Sequence, residues 1–200
     1  MEKSLNKIEC FILAAGMSKR MGKVNKLLKI VNNNTVINHT LTNHSESNLD
    51  NINLIVGYEK NLILEHIFKS KISIIENKDY EDGMLSSILA INENIDHNTS
   101  GILISLADMP YVSSSDINKL IEVFNENNQK IICIPEYIGK LGNPILLPVE
   151  IYKNLVDEKI KLSKDRGLKK LILEKKYNYK KVSLSEGVTI DFDTIEDFNL

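Results

Sequence analysis

Cys10-Phe11-Ile12-Leu13-Ala14-Ala15-Gly16-Met17-Ser18-Lys19-Arg20-Met21-Gly22-Lys23-Val24-Asn25-Lys26-Leu27-Leu28 is the stretch around which the rest of the chain is arranged. It opens on the apolar run Phe11–Ala15, which reads as a short buried strand. It then breaks into a loop held between Gly16 and Gly22, carrying Lys19, Arg20 and Lys23 and finishing on Lys26. Such a loop suits a polyphosphate. Glycine permits positive φ and close approach of the backbone to a ligand, converging N–H groups point at anions, and flanking cations neutralise the charge. Two common phosphate loops are excluded. A Walker A loop has four residues between its glycines and then Lys with Ser or Thr, whereas five separate Gly16 from Gly22 and Val24 follows Lys23. No Gly-x-Gly occurs in the chain, so the dinucleotide fingerprint is absent as well. The plain alternative is a βα turn with a solvated basic loop.

Outward from this stretch, short apolar runs alternate with amphipathic ones. Strands are expected at Glu9–Leu13, Asn53–Val56, Ile72–Glu76, Gly101–Leu106, Lys130–Pro135, Asn143–Leu147 and Tyr179–Leu184. Helices are expected at Thr35–Ser45, with Thr35 as N-cap, and at Lys60–Phe68, Met84–Asn94, Ser115–Asn127, Val149–Leu155 and Gly167–Lys175, with a last turn at Ile195–Leu200. The pattern predicts an α/β protein: an open, mostly parallel sheet with helices on both faces, three layers in all. With no internal repeat or low-complexity linker, residues 1–200 read as one domain. Ligands of such sheets sit at the carboxyl ends of the strands, where the strand order reverses.

The informative polar residues therefore follow strand ends. Gly16–Lys26 follows the first strand, Asn77–Met84 the third and Asp108 the fourth. Asp108 stands two residues past Ile102-Leu103-Ile104-Ser105-Leu106, and Pro110 bars helical continuation there. A carboxylate facing a basic glycine loop suits Mg²⁺, usually held by one or two carboxylates plus substrate phosphates; a turn-capping aspartate is the alternative. Asn77 through Ser87 reads as a polar loop closed by Gly83, with Ser86 and Ser87 on the first turn of a helix. Tyr137–Leu146 reads as a hairpin-like turn with Pro144 at an edge or non-bonded strand position. Lys169, Lys170, Lys175 and Lys176 read as solvated helix charge. His39, His44, His66 and His97 have no metal-ligand spacing and read as surface or partly buried residues.

Composition narrows the partners. A net charge of −2 gives no reason to expect nucleic acid or an anionic membrane, and 6% aromatics without Trp argues against a base-stacking platform. Cys10 and Cys133, each inside an apolar run, read as buried reduced thiols. No apolar run approaches transmembrane length, and Glu9 and the basic loop spoil the first run as a signal peptide, so a cytoplasmic enzyme is expected.

Leu13-Ala14-Ala15-Gly16-Met17-Ser18-Lys19-Arg20-Met21-Gly22 with Lys26-Leu27-Leu28 resembles the signature of the MobA/MocA-like nucleotidyltransferases, more closely that of the molybdenum cofactor cytidylyltransferases. The likeness runs from residue 9 to residue 198 with motifs in order. It implies a nucleotide-diphospho-sugar transferase-like, Rossmann-type fold and transfer of CMP from CTP to the phosphate of a molybdopterin-type acceptor, with Mg²⁺ and release of pyrophosphate. It implies Arg20, Lys26 and Asp108 as catalytic residues, Leu13, Ala14, Ala15, Gly16, Ser18, Asn77, Gly83, Ser86 and Ser87 around the nucleotide, and Asp108 on the metal. Gly142-Asn143-Pro144 corresponds to an acceptor-contacting Gly-x-Pro. Asp165-Arg166-Gly167 resembles a Gly-Asp-x-Gly element, with Lys164 in place of its first glycine and Arg166 towards the acceptor phosphate. Ile190–Asp197 departs from Asp-x-Asp-Thr-Pro-Glu-Asp by Ile195 in place of proline. Asp191 and Asp193, at i and i+2 of an extended segment, point the same way; Asp193 is the preferred second metal ligand and Asp191 the reserve. The turn after Leu28 has Asn32-Asn33-Asn34 where proline and glycine are usual, a mild change because asparagine tolerates left-handed backbone. Ala15, where GTP users more often carry glycine, favours CTP. A GTP-using relative, a nucleotidyltransferase for another phosphorylated acceptor, and a non-catalytic carrier delivering cofactor to a molybdenum hydroxylase apoenzyme stay open.

Overall fold

Lys7–Ala14 forms β1, and its side chains divide between two cores. Ile8, Cys10, Ile12 and Ala14 enter one, while Phe11, and Ala15 just beyond the strand, enter the other. A strand buried on both faces must lie inside a sheet covered on both sides, which is why this stretch reads as nearly continuous apolar sequence. The computed structural model describes residues 7–22, 24–68, 72–159, 168–174 and 177–199. After β1 come the short antiparallel pair β2 (Ile30–Val31) and β3 (Asn34–Thr35), then α1 (Val36–Ser45), β4 (Asn51–Val56), α2 (Lys60–His66), β5 (Ile72–Glu76), α3 (Met84–Asn92) and β6 (Thr99–Leu106). The chain continues through α4 (Ser114–Glu126), β7 (Ile132–Tyr137), β8 (Lys140–Leu141), β9 (Ile145–Pro148), α5 (Val149–Lys159), α6 (Leu168–Glu174) and β10 (Tyr179–Ser183).

The main sheet runs β10-β7-β9-β6-β1-β4-β5, with β8 on β7. β5, β4, β1 and β6 are mutually parallel, as are β7 and β10. Among the described strands of this sheet, only β9 and the short β8 run against their neighbours. Apolar side chains of α1, α2 and α4 fill one face, and those of α3, α5 and α6 the other. The expected three-layer, mostly parallel α/β class is the architecture observed. From β1 the chain moves outward to β4 and β5, then returns to place β6 on the other flank of β1. The order thus reverses between β1 and β6, and a crevice opens beyond Ala14 and Leu106.

Local chemistry explains the turns. Thr35 caps α1 by accepting the Asn38 N–H at 3.3 Å. Asn32 and Asn33 take the left-handed backbone asparagine tolerates, at φ 48° and 69°. Ser113 and Asp116 form a reciprocal capping box at the start of α4. Pro144 stands outside β9, which begins at Ile145 and is an interior strand between β6 and β7, not an edge; a ring without N–H can precede the ladder without costing it a bond. The last turn is a short 3₁₀ segment, Glu196–Asn199. Both cysteines are buried and free. No helix among the described residues is long and apolar enough to cross a membrane.

His44 overturns the expectation of surface or partly buried helix histidines. It is 0% exposed. Its Nδ1 lies 2.7 Å from the Thr40 carbonyl and therefore donates, leaving Nε2 to accept from the Ser105 hydroxyl at 2.9 Å. Burial drives its pKa down from 6.5 to about 4, with the Thr40 carbonyl opposing weakly. The folded state therefore holds His44 neutral, and its contribution is complete above the unfolded value and lost as pH falls through the folded one. Between pH 6.5 and 4 this group is expected to remove about 3 kcal/mol of stability. Urea titrations at pH 7 and pH 5 test this: His44→Gln should flatten the acid-side loss, and an unchanged pH slope would refute the assignment.

Candidate active site

Two strand ends build the crevice. The Ala107 N–H donates to the Leu13 carbonyl at 3.1 Å, stitching the exit of β6 to that of β1. Thr40 Oγ1 donates to the Ala107 carbonyl at 3.0 Å, and the Asn43 amide donates to the carbonyls of Pro110 and Val112 at 3.0 and 2.8 Å. α1 thus holds the turn that presents Asp108. The Phe192 N–H donates to the Asp108 carbonyl at 2.9 Å, which brings Asp193 alongside Asp108. The Asp197 carboxylate braces this segment, accepting the N–H groups of Asp193 and Thr194 at 2.8 and 2.6 Å.

On the opposite wall the glycine loop behaves partly as expected. The left-handed residues are Ser18, at φ 47°, and Gly22, at φ 68°, and not Gly16. A side chain at Gly16 would meet nothing within 4 Å, so the absence of one keeps the crevice open. Asn25 accepts the Leu27 N–H at 3.1 Å and caps the 3₁₀ turn Lys26–Leu28. Leu27 is buried in the core while Lys26 turns into the cleft.

The charges converge there. Lys26 Nζ pairs with Asp108 Oδ2 and, at 2.6 Å, with Asp193 Oδ1, while Arg20 reaches Asp193 Oδ2 at 2.8 Å from a side chain 68% exposed. Burial works against the charge on Lys26, but the attraction of Asp108 and Asp193 overcomes it and raises its pKa. Burial likewise opposes ionisation of Asp193, which Lys26, then a hydrogen bond from Asp191 and the charge of Arg20, outweigh, holding it below the usual carboxylate range. Asp191 goes the other way: burial, its hydrogen bond to Asp193 and the nearby charges of Asp193 and Asp108 push it up. Asp108 Oδ1 is buried without a hydrogen-bond partner.

The cleft has a volume of about 330 Å³. Of the expected residues, Leu13, Ala14, Ala15, Gly16, Arg20, Lys26, Gly83, Ser87, Asp108 and Asp193 line it together, and so does Asp191. Ser18, Asn77 and Ser86 do not line it. Ser18 accepts the Lys26 N–H at 3.4 Å. The Asn77 amide donates to Ser86 Oγ and Ser87 Oγ at 2.8 and 3.0 Å, and Asn77 and Ser86 line a neighbouring cavity of about 420 Å³. Gly142, Asn143 and Pro144 also stand off the cleft wall, with the N–H groups of Gly142 and Asn143 donating to the carbonyls of Pro135 and Val188 at 2.8 and 2.9 Å. A side chain at Gly142 would overlap the Val188 carbonyl, so this turn requires glycine. Asp165 and Arg166 lie outside the described residues.

Three participants were not foreseen. Tyr80 lines the cleft and rests on Gly57, where a Cβ would stand 2.6 Å from Tyr80 Cβ and 2.9 Å from Ala15 Cβ. A lone aromatic in the polar loop after β5, and a glycine directly after β4, were the available signals. The third, Lys169, is half-buried instead of solvated and donates to the carbonyls of Leu141 and Gly142 at 3.2 and 3.3 Å. Burial lowers its pKa, and Lys140 adds to that while Asp191 opposes it.

Residues 10–180, from β1 to β10, match the MobA-like NTP transferase domain. The chain belongs to that family. Over 198 residues it is 26% identical to the molybdenum cofactor cytidylyltransferase of Escherichia coli, with 97% of this chain and 95% of that protein aligned. In fold it is similar to the Rv0371c homologue of Mycobacterium sp. strain JC1, at TM-score 0.84 and 24% identity over 97% of this chain and 94% of that one. It is also similar to Rv0371c of Mycobacterium tuberculosis, solved with manganese, at TM-score 0.80 and 21% identity over 96% of each chain. Membership of the MobA-like family makes the chain a nucleotidyltransferase, built on the nucleotide-diphospho-sugar transferase fold.

The donor set fits a divalent cation. Two carboxylate oxygens already converge on one positive centre, Lys26 Nζ, and a third oxygen, Asp108 Oδ1, lacks a partner. Among the described residues no group of three or more His, Cys, Asp or Glu side chains could hold a metal alone, so phosphate oxygens would have to complete the shell.

Gly57→Ala is expected to cost about 1–3 kcal/mol, because Tyr80 or Ala15 must shift to admit the methyl group. Urea unfolding measures this, and an unperturbed midpoint would mean that the Tyr80 contact yields freely.

Proposed function

We propose that this MobA-like chain transfers CMP from CTP to the phosphate of a molybdopterin-type acceptor and releases pyrophosphate, with Mg²⁺. The observation that carries the reading is the meeting of Lys26, Arg20, Asp108 and Asp193 in one cleft beyond β1 and β6. Near-full-length likeness to a cytidylyltransferase supports CTP and the acceptor, and Ala15 on the cleft wall supports a pyrimidine over a purine.

An oxygen of the acceptor phosphate attacks the α-phosphorus, and the bond from that phosphorus to the bridging oxygen of the β-phosphate breaks. Charge grows on the departing pyrophosphate, so positioning and neutralisation do most of the work. Lys26, positively charged at neutral pH and set between two carboxylates, is within reach of the triphosphate as it enters. Arg20, mostly exposed at the mouth, can bind two phosphate oxygens at once. Backbone around Ala14–Ser18, with Ser87 oriented by Asn77, holds the nucleoside and the inner phosphates. Asp108 and Asp193 are the pair that would hold Mg²⁺, which supplies charge withdrawal from the phosphates when bound. Gly142-Asn143-Pro144, tied to α6 through Lys169, together with Asp165 and Arg166, serves the acceptor. No side-chain nucleophile and no covalent intermediate are needed.

Pyrophosphate release with CTP and GTP in parallel, with and without molybdenum cofactor, tests the reading. Turnover should require the acceptor and favour CTP, and Asp108→Ala should lower kcat by about 10²–10³ or more with an unchanged unfolding midpoint. Near-normal activity of that variant would remove Asp108 from the mechanism. A chain that retains the cofactor yet releases no pyrophosphate would be a carrier.

A further inference from the structure

We propose that Glu59 is a positioning residue that acts through Asn25 to set where the Lys26 ammonium stands. The proposal rests on the reading of the cleft as a triphosphate grip. Glu59 follows β4 by three residues and immediately precedes α2, in a left-handed backbone conformation at φ 50°, ψ 33°. Such a conformation is costly for a residue with a Cβ and a long side chain, and persists where surrounding structure demands it. The position is also the N-cap of α2, where a short polar side chain would normally bind the first N–H groups. Glu59 makes no side-chain cap.

Its carboxylate goes elsewhere. Glu59 Oε2 accepts the Asn25 Nδ2–H at 3.0 Å, across 34 residues of sequence. Asn25 is 7% exposed, and its other amide atom, Oδ1, accepts the Leu27 N–H at 3.1 Å. Both ends of this amide are thus committed, one to the turn that carries Lys26 and one to Glu59. The Glu59 backbone is itself pinned: its carbonyl accepts the Ile63 N–H at 3.0 Å, and the preceding Tyr58 N–H donates to the Ala15 carbonyl at 3.4 Å. A strained residue on the β4 exit therefore fixes the start of the Lys26 turn, while Ser18 accepts the Lys26 N–H from the other side. The ammonium must stand between Asp108 and Asp193 in the free protein and meet phosphate in the complex. A displacement of about 1 Å at such a group is enough to cost a large factor in rate.

Glu59→Gly, Glu59→Gln, Asn25→Asp and the double variant Asn25→Asp/Glu59→Gln test the strut. Glycine relieves the left-handed backbone, which offsets the loss of the bond to the buried Asn25 amide, so Glu59→Gly should unfold within a few degrees of the wild type. It should nevertheless lose about tenfold in kcat for pyrophosphate release and in calorimetric affinity for inorganic tripolyphosphate. A loss of function without a matching loss of stability is what a merely structural residue would not produce. Glu59→Gln keeps an oxygen for the Asn25 amide and should stay within about threefold of wild type. Asn25→Asp sets two carboxylates against each other and should lose activity, and Glu59→Gln in the same chain restores an amide–carboxylate bond and should recover most of it. Tripolyphosphate binding without pyrophosphate release by the wild type would end the proposed transfer reaction, and the strut would still be judged by the binding series. Wild-type-like binding by Glu59→Gly, no recovery in the double variant, or no tripolyphosphate binding by the wild type would overturn it.

Discussion

Asp108 and Asp193 face one another across a gap that a single ammonium, that of Lys26, fills. Two carboxylates at this separation repel, and in a half-buried cleft the repulsion is weakly screened. The cation between them is therefore a condition of the arrangement. Lys26 supplies it from the β1–α1 connection, and Arg20 covers the solvent side of Asp193. The rest of the fold serves that meeting: the reversal of strand order between β1 and β6 brings the two connections face to face, and the 191–193 segment is drawn in by its bond to the Asp108 carbonyl.

The same arrangement accounts for the asymmetry between neighbouring aspartates. Asp193 touches both cations and stays ionised more readily than a free carboxyl group, whereas burial, its hydrogen bond to Asp193 and the charges of Asp193 and Asp108 make Asp191 hold its proton more tightly. Lys169, half-buried near Asp191, extends the alternation of charge toward the 141–142 turn. The cleft is thus continuous in electrostatics with a turn that does not line it.

The fold was legible because its signals are local. The apolar runs Ile102–Leu106 and Asn53–Val56 are almost wholly buried, so β6 and β4 fall where continuous apolar sequence puts them, and β5 falls at Ile72–Glu76 as expected. Thr35 and Asn32-Asn33 announce their own turns. The charged members of the cleft were legible as types at strand ends, but their partners were not. No spacing along the chain says that Lys26 will pair with a residue 167 positions away. His44 deceived because its burial depends on Ser105, on a different element. Pro144 was legible as a non-bonded position, since its strand begins one residue later, but not the fact that this strand lies inside the sheet instead of at its rim.

The bond from the Phe192 N–H to the Asp108 carbonyl means that the acid pair joins two segments far apart in sequence, on a framework that exists only where β6 lies beside β1. Closing so long a loop is entropically unfavourable until the framework on which it docks exists. The pairing of Lys26 with both acids is then an attribute of the finished topology alone. Without the 191–193 latch, Lys26 would keep Asp108 alone as its partner and Arg20 would lose its contact with Asp193.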